Sequence, residues 1–332
     1  MQISYAQNLE DTHLEMVFSG QQTGTYVDVG GGHPVADNVS FWFYLKGWRG
    51  LVVEPQEALA ALYAHVRPRD HTVSCLAGRT SGEVEFHVVD KLHGFSTTVR
   101  DNAAGAAKFG AGFRTIRKPM RPLTDLCAEA GLTEIDFLKV DVEGAEADVL
   151  AGMDFAAVRP RVVLVEAIVP GSMQAAWDDW EPLLTRNGYR FAFFDNLNRF
   201  YVAEEAQHLA ARFPAQPVDW GAVGHLWDCG RAPDKPDHPD HVLARTLVAG
   251  LMAKLPGLPA SFVADLLAAG LAADRKGEVT PETIAAFLGK AEFPRATREA
   301  TDGSLAQMLQ TDAARAALGR IACMYDGGHL LE

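Results

Sequence analysis

The residues most suited to chemistry cluster first in Tyr26-Val-Asp-Val-Gly-Gly-Gly-His-Pro34. An apolar run that carries Asp28 and passes into Gly30, Gly31 and Gly32 reads as a strand feeding a tight turn. There the missing Cβ atoms let backbone N–H groups come close to a ligand. A second apolar run ends at Glu54, 26 residues after Asp28. Ligands of open α/β sheets bind at the carboxyl ends of the strands, where a carboxylate can accept both hydroxyls of a ribose. A dinucleotide fingerprint would require a third glycine at position 35, which is Val35. An acid just before the turn also disfavours a pyrophosphate. The pattern therefore predicts a cationic, phosphate-free cofactor of the S-adenosylmethionine type, held by Asp28, Gly30, Gly31, Gly32 and Glu54.

Three more acids and a histidine extend the candidate set. Asp141 closes the run Phe137-Leu-Lys-Val-Asp141 and leads into Val-Glu-Gly-Ala-Glu146, so Glu143 and Glu146 fall at the start of a helix, where the dipole favours acids. Glu166 closes Val163-Leu-Val-Glu166. Transfer of a methyl group from such a cofactor chiefly needs alignment of the acceptor atom, and a base that takes the acceptor's proton helps. Asp141, Glu143, Glu166 and His33 are the candidates for that work, and Asp141 also lines the expected cofactor pocket. Loops at Phe95-Ser-Thr97 and at Asn196 and Asn198 are candidate acceptor contacts. Carboxylates gathered at one edge would also suit Mg2+, a hard cation that prefers oxygen. Their spacing is not diagnostic, so no bound metal is expected and Mg2+ stands as the unfavoured alternative.

These residues need a scaffold that brings strand ends to one edge. Apolar runs at 25–29, 51–53, 72–76, 83–89, 135–140 and 162–165 are continuous rather than alternating, as in strands buried on both faces of a mostly parallel sheet. Helix-period segments at 37–46, 56–66, 123–130, 145–150 and 177–186 lie between them. Strand alternating with helix predicts a doubly wound α/β domain. The runs 189–194 and 199–203 are separated by only Asp195-Asn-Leu-Asn198, too short for a crossover helix, so they should form an antiparallel hairpin. A parallel sheet finished by such a hairpin fits the methyltransferase variant of the Rossmann-like fold.

Composition narrows the function classes. Hydrophobic residues make up 48% and charged residues 22% of 332, as in soluble globular chains. The net charge of −13 disfavours phosphate-backbone partners, so no nucleic acid is expected. Cys75, Cys127, Cys229 and Cys323 form no CxxC pair, which argues for reduced thiols rather than zinc or a disulfide framework. No basic stretch precedes an apolar one at the start, and no apolar run reaches the roughly 20 residues of a membrane span. A cytoplasmic chain without a span is the expectation. The length suggests two domains at about 100–200 residues each. The expected division is a catalytic domain over 1–215, a linker over 216–240 that takes in all but the last residue of the proline-rich stretch 230–241, and a small all-α module over 241–332. The Ala-rich module carries no chemical motif and suits packing or association, including homo-oligomer formation.

Several segments together resemble the FkbM family of S-adenosylmethionine-dependent methyltransferases. They are Ser4-Tyr-Ala-Gln-Asn-Leu-Glu-Asp11, Tyr26-Val-Asp-Val-Gly30, Phe43-Tyr-Leu-Lys-Gly-Trp-Arg-Gly-Leu-Val-Val-Glu-Pro55 and Ile135-Asp-Phe-Leu-Lys-Val-Asp-Val-Glu-Gly-Ala-Glu146. Trp180-Glu-Pro-Leu-Leu and Asp195-Asn-Leu-Asn-Arg-Phe-Tyr-Val202 extend the likeness, which covers about residues 3–205 in order. The resemblance implies a class I methyltransferase sheet and O-methylation of a sugar or glycan hydroxyl, with polyketide-type natural products as an alternative acceptor. It adds Gln7, Glu10 and Pro55 to the expected cofactor contacts. The family often has Ala-Asn after Asp-Val-Gly, where this chain has Gly31-Gly32-His33-Pro34. A nicotinamide-dependent oxidoreductase and a non-catalytic adaptor are the competing classes.

Overall fold

The computed structural model describes residues 3–226, except 91 and 170–173. The proline-rich stretch 230–241 and the expected helical module over 241–332 lie outside them. The chain opens with β1 (Ile3–Ser4) and α1 (Glu10–Val17), then alternates through β2 (Thr25–Val29), α2 (Phe41–Leu45), β3 (Arg49–Val53), α3 (Glu57–Val66) and β4 (His71–Val73). An insertion follows, with β5 (Leu76–Ala77), β6 (Gly82–Val89), α4 (Arg100–Gly105) and β7 (Phe113–Arg121). The alternation resumes with α5 (Leu123–Glu129), β8 (Phe137–Val140), α6 (Glu146–Ala151), β9 (Val162–Glu166) and α7 (Glu181–Arg186). The last strands are β10 (Tyr189–Phe194), β11 (Asn198–Ala203) and β12 (Gly224–His225).

The main sheet has seven strands in the order β10-β11-β9-β8-β2-β3-β4. β9, β8, β2, β3 and β4 run parallel, while β11 is antiparallel to both β9 and β10. The parallel core and its closing hairpin are as the apolar runs predict. Val, Leu, Tyr and Phe dominate these strands because branched and aromatic side chains pack well on a pleated surface. At the opposite edge from the carboxyl ends, Phe18, Phe43, Trp48 and Phe137 are fully buried, with ring centroids 4.8–6.5 Å apart. Each such ring contributes about 1.5–3 kcal/mol of burial. Phe137 starts β8 and Trp48 precedes β3, so the cluster anchors strand starts and leaves the strand ends to the polar residues.

The insertion departs from the sequence expectation. The run 83–89 does not join the parallel sheet. It pairs antiparallel with β7 in a separate three-stranded sheet of order β5-β7-β6. β7 carries Arg114, Arg117, Lys118, Pro119 and Arg121, so it lacks the apolar signature of a central strand. The run 72–76 also divides, with β4 in the main sheet and β5 in the smaller one. Two helices start later than expected. α2 begins at Phe41 after a turn in which Asp37 has φ +50°, and α7 begins at Glu181 with a proline in its first turn. β1 and β12 form a short parallel pair. No helix among the described residues is long and apolar enough to cross a membrane.

Candidate active site

The glycine turn is built against its neighbours. Gly30 has φ +76°, and a Cβ there would lie 1.8 Å from the Asp141 carbonyl oxygen. Only glycine lets β2 pass so close to the end of β8. The Gly30 and Gly31 N–H groups both donate to the Val53 carbonyl, at 2.9 and 3.3 Å. The Gly31 carbonyl accepts from Asn38 Nδ2 and Tyr63 Oη, each at 2.8 Å. Gly32 has φ +58° and faces open space.

Glu54 closes the other side of the turn. Its Oε2 accepts the Gly32 N–H and its Oε1 the Gln56 N–H, each at 2.7 Å. Burial raises this carboxyl to about 7, against the opposing pull of the two N–H groups and of Lys139. Pro55 is half-buried beside it. Behind the turn, Arg67 is completely buried. It donates to Asn38 Oδ1 and Ser40 Oγ at 2.8 Å and pairs with Asp70 at 2.7 Å. These contacts satisfy a charge that would otherwise be costly to bury, and they lock residues 38–40 under the turn.

Asp28 lies beneath this cradle with no exposed surface. Its Oδ2 accepts from Ser40 Oγ at 2.6 Å, and its Oδ1 faces Lys139 Nζ at 3.6 Å. Asp28 and Lys139 are cross-strand partners on β2 and β8. The Lys139 ammonium also donates to the Gly30 carbonyl at 2.7 Å and pairs with Asp141 at 3.3 Å. Burial opposes its charge, but Asp141 and Asp28 outweigh that cost and hold its pKa above the ordinary lysine value.

The structure brings three of the sequence candidates together. One carboxylate oxygen from each of Asp141, Glu143 and Glu166 lies within 4.8 Å of the others. Burial, then the charge of Asp141 and of Glu146, pushes Glu143 up to about 9. Glu166 is raised well above the ordinary carboxylate range by burial and then by the charge of Asp141. Glu143 sits at φ +59°, an uncommon conformation for a residue with a side chain. Thr97 Oγ1 and Asn102 Nδ2 hold its carbonyl at 2.9 and 2.7 Å, so the inserted unit fixes this loop. Glu146 accepts the N–H groups of Val142 and Gly144 and caps the same loop. Such a set of oxygens can bind a cation or share protons.

The N-terminal segment meets the terminal hairpin. Glu10 is buried, accepting from the Asn8 N–H and from Asn198 Nδ2, each at 2.7 Å. Burial and the nearby Asp195 raise it to about 8. Asp195 accepts the Leu197 and Asn198 N–H groups and forms the hairpin turn. Beside it lies a cavity of about 380 Å³ lined by Asn8, His13, Asp195, Asn196, Asp219 and Trp220, among others. Asn198 is the register partner of Glu166, so this cavity adjoins the same sheet edge. Gln7 is exposed. His33 is exposed, and its Nδ1 accepts the N–H groups of Val35 and Ala36 within its own turn.

Lys139, Arg67, Tyr63 and Ser40 are site-building residues that sequence reasoning passed over. Lys139 alone offered a signal, as a lysine inside an otherwise apolar strand.

A family model described as the methyltransferase FkbM domain matches residues 28–191. The chain is 34% identical over 112 residues to the AMB antimetabolite synthetase AmbE of Pseudomonas aeruginosa, a match covering 31% of this chain and 5% of that protein. Among solved structures, methyltransferase FkbM from Methylobacillus flagellatus aligns at 16% identity and TM-score 0.34, over 56% of this chain and 47% of that one. CalO1, a methyltransferase in calicheamicin biosynthesis, aligns in its SAH-bound form at 15% identity and TM-score 0.29, over 58% and 54%.

Proposed function

We propose that this domain, whose residues 28–191 match the methyltransferase FkbM family, binds S-adenosylmethionine and transfers its methyl group to a hydroxyl of a sugar or glycan. The observation that carries this reading is the order of groups along the carboxyl edge. Glu54 follows β3, the glycine turn follows β2, Asp141 follows β8, Glu166 ends β9 and Asn198 starts β11. The residues fit the cofactor. The open face at Gly32 admits a ligand, Glu54 supplies a carboxylate for the ribose hydroxyls, and the acids beyond suit a sulfonium.

When bound, the cofactor supplies an electrophilic methyl group on a cationic sulfur. Asp141, Glu143 and Glu166 border the place where an acceptor oxygen must approach in line. An ionised carboxylate of this cluster would take the acceptor hydroxyl proton. Glu143, held by Thr97 and Asn102 through its carbonyl, is fixed beside Asp141 by the inserted unit, where a carboxyl raised to about 9 would hold a proton rather than take one. The cavity at Asp195 and Asn196, which Trp220 also lines, offers hydrogen-bonding side chains and an aromatic ring to a polyhydroxylated acceptor. It lies three strand positions from β8, roughly 14 Å at ordinary strand spacing, which suits an acceptor longer than one sugar ring.

The AmbE match favours a second acceptor class, a small natural product, because that relative is described as an antimetabolite synthetase. The test is transfer of labelled methyl from S-adenosylmethionine to a glycan pool and to a hydroxylated small-molecule pool. Label in the glycan pool supports the first acceptor class, and label only in the second pool replaces it. No binding of S-adenosylhomocysteine and no label in either pool would overturn the methyltransferase reading of this chain.

A further inference from the structure

Asp28 on β2 is the register partner of Lys139 on β8, and two residues further along each chain, just past the strand ends, Gly30 lies against the Asp141 carbonyl. The Lys139 ammonium occupies the centre of this block. It donates to the Gly30 carbonyl at 2.7 Å, pairs with Asp141 at 3.3 Å and faces Asp28 at 3.6 Å. Asp28 Oδ1 has no hydrogen bond from any other side chain. One buried cation therefore fixes the backbone of the cofactor turn and the first carboxylate of the reactive cluster together.

We infer that Lys139 is a positioning residue that sets the glycine turn and Asp141 in a single geometry and tunes the site between cationic and neutral forms of the cofactor. The inference rests on the cofactor reading above. Its second half follows from charge balance. Lys139 offsets Asp28 and Asp141, so its loss leaves the edge more negative. A more negative edge favours a cationic ligand over a neutral one.

The experiment is calorimetric titration of wild type, Lys139→Gln and Lys139→Arg with S-adenosylmethionine and S-adenosylhomocysteine, with thermal melts to establish folding. Lys139→Gln should bind the thioether at least tenfold more weakly than wild type, while the sulfonium form loses at least threefold less. Equal losses for both would reduce Lys139 to a structural residue and overturn the tuning. Wild-type affinities for both would overturn the inference entirely. If Lys139→Gln does not fold, Lys139→Arg decides. It keeps the charge but not a single ammonium donor placed on the Gly30 carbonyl. Its expected result is a loss of at least threefold for both ligands with their ratio unchanged, and wild-type binding would overturn the positioning role. Failure of the wild type to bind either ligand would instead overturn the cofactor reading, so the two failures are distinct.

Discussion

Glu54 Oε2 accepts the Gly32 N–H at 2.7 Å, so the acid that ends one strand holds the glycine turn that follows its neighbour. This carboxyl is raised to about 7, first by burial. In the proposed reading it accepts a ribose hydroxyl, a capacity it loses on taking a proton below that pH. Affinity for S-adenosylhomocysteine should therefore rise as pH increases from 6 to 8. Glu54→Gln should lose about ten- to a hundredfold in affinity, the worth of a hydrogen bond to a charged group, and should flatten the pH dependence. Calorimetry at three pH values checks both. A Gln variant with wild-type affinity would remove Glu54 from the binding site.

The two strained glycines of the turn should respond differently to alanine. At Gly30 a Cβ would meet the Asp141 carbonyl at 1.8 Å, so β2 and β8 must separate. Gly30→Ala should fall in the rare class costing above about 4 kcal/mol, seen as a large drop in melting temperature or loss of folding. Gly32 faces open space, and only its φ of +58° resists a side chain. Gly32→Ala should cost about 1 kcal/mol. Urea denaturation of both variants measures the difference, and equal costs would contradict the close approach.

Glu10 and Asp195 make the domain sensitive to alkali. Glu10 is raised to about 8 and Asp195 to about 6, each chiefly by burial. The folded chain therefore holds more protons than the unfolded chain, whose carboxyls titrate near 4. This stabilisation is complete below the unfolded values and is lost as pH rises through about 6 to 8. Melting temperature should fall between pH 5 and 8.5, and Glu10→Gln should reduce the slope. A wild-type melting temperature that does not fall across that range would argue against buried, protonated carboxyls.

The parts legible in the sequence were those with local causes. Continuous apolar runs revealed β2, β3, β8 and β9, and the four-residue gap before Arg199 revealed the hairpin. β7 escaped because its four cations belong to a half-exposed strand of a second sheet. Asp28 is legible as a strand acid beside the glycine turn, yet its burial follows from Ser40 and Lys139, which only the cross-strand register brings to it. Lys139 itself reads as an oddity between Leu138 and Val140 until β2 is placed beside it. The closeness of Asp141 to Glu166 follows from β8 and β9 being neighbours, which the strand pattern implies. The conformation of Glu143 depends on Thr97 and Asn102 from the inserted unit and has no local signature.

The three clustered carboxylates should act as a unit. One oxygen from each lies within 4.8 Å of the others, and Glu143 and Glu166 are raised first by burial and then by the neighbouring like charges. In the proposed reading, protons and the sulfonium supply the compensating positive charge. Asp141→Asn, Glu143→Gln and Glu166→Gln should each reduce labelled methyl transfer by about 10²–10⁴-fold, the range of general acid–base contributions. The double variants should lose much less than the product of the single losses. Prior treatment with EDTA should leave wild-type turnover within twofold. Loss of turnover that returns on adding Mg2+ would instead assign the cluster to a hard cation, for which its oxygen donors are chemically suited. Single variants with unchanged turnover would move the proton acceptor elsewhere along the edge, with His33 the next to be tested.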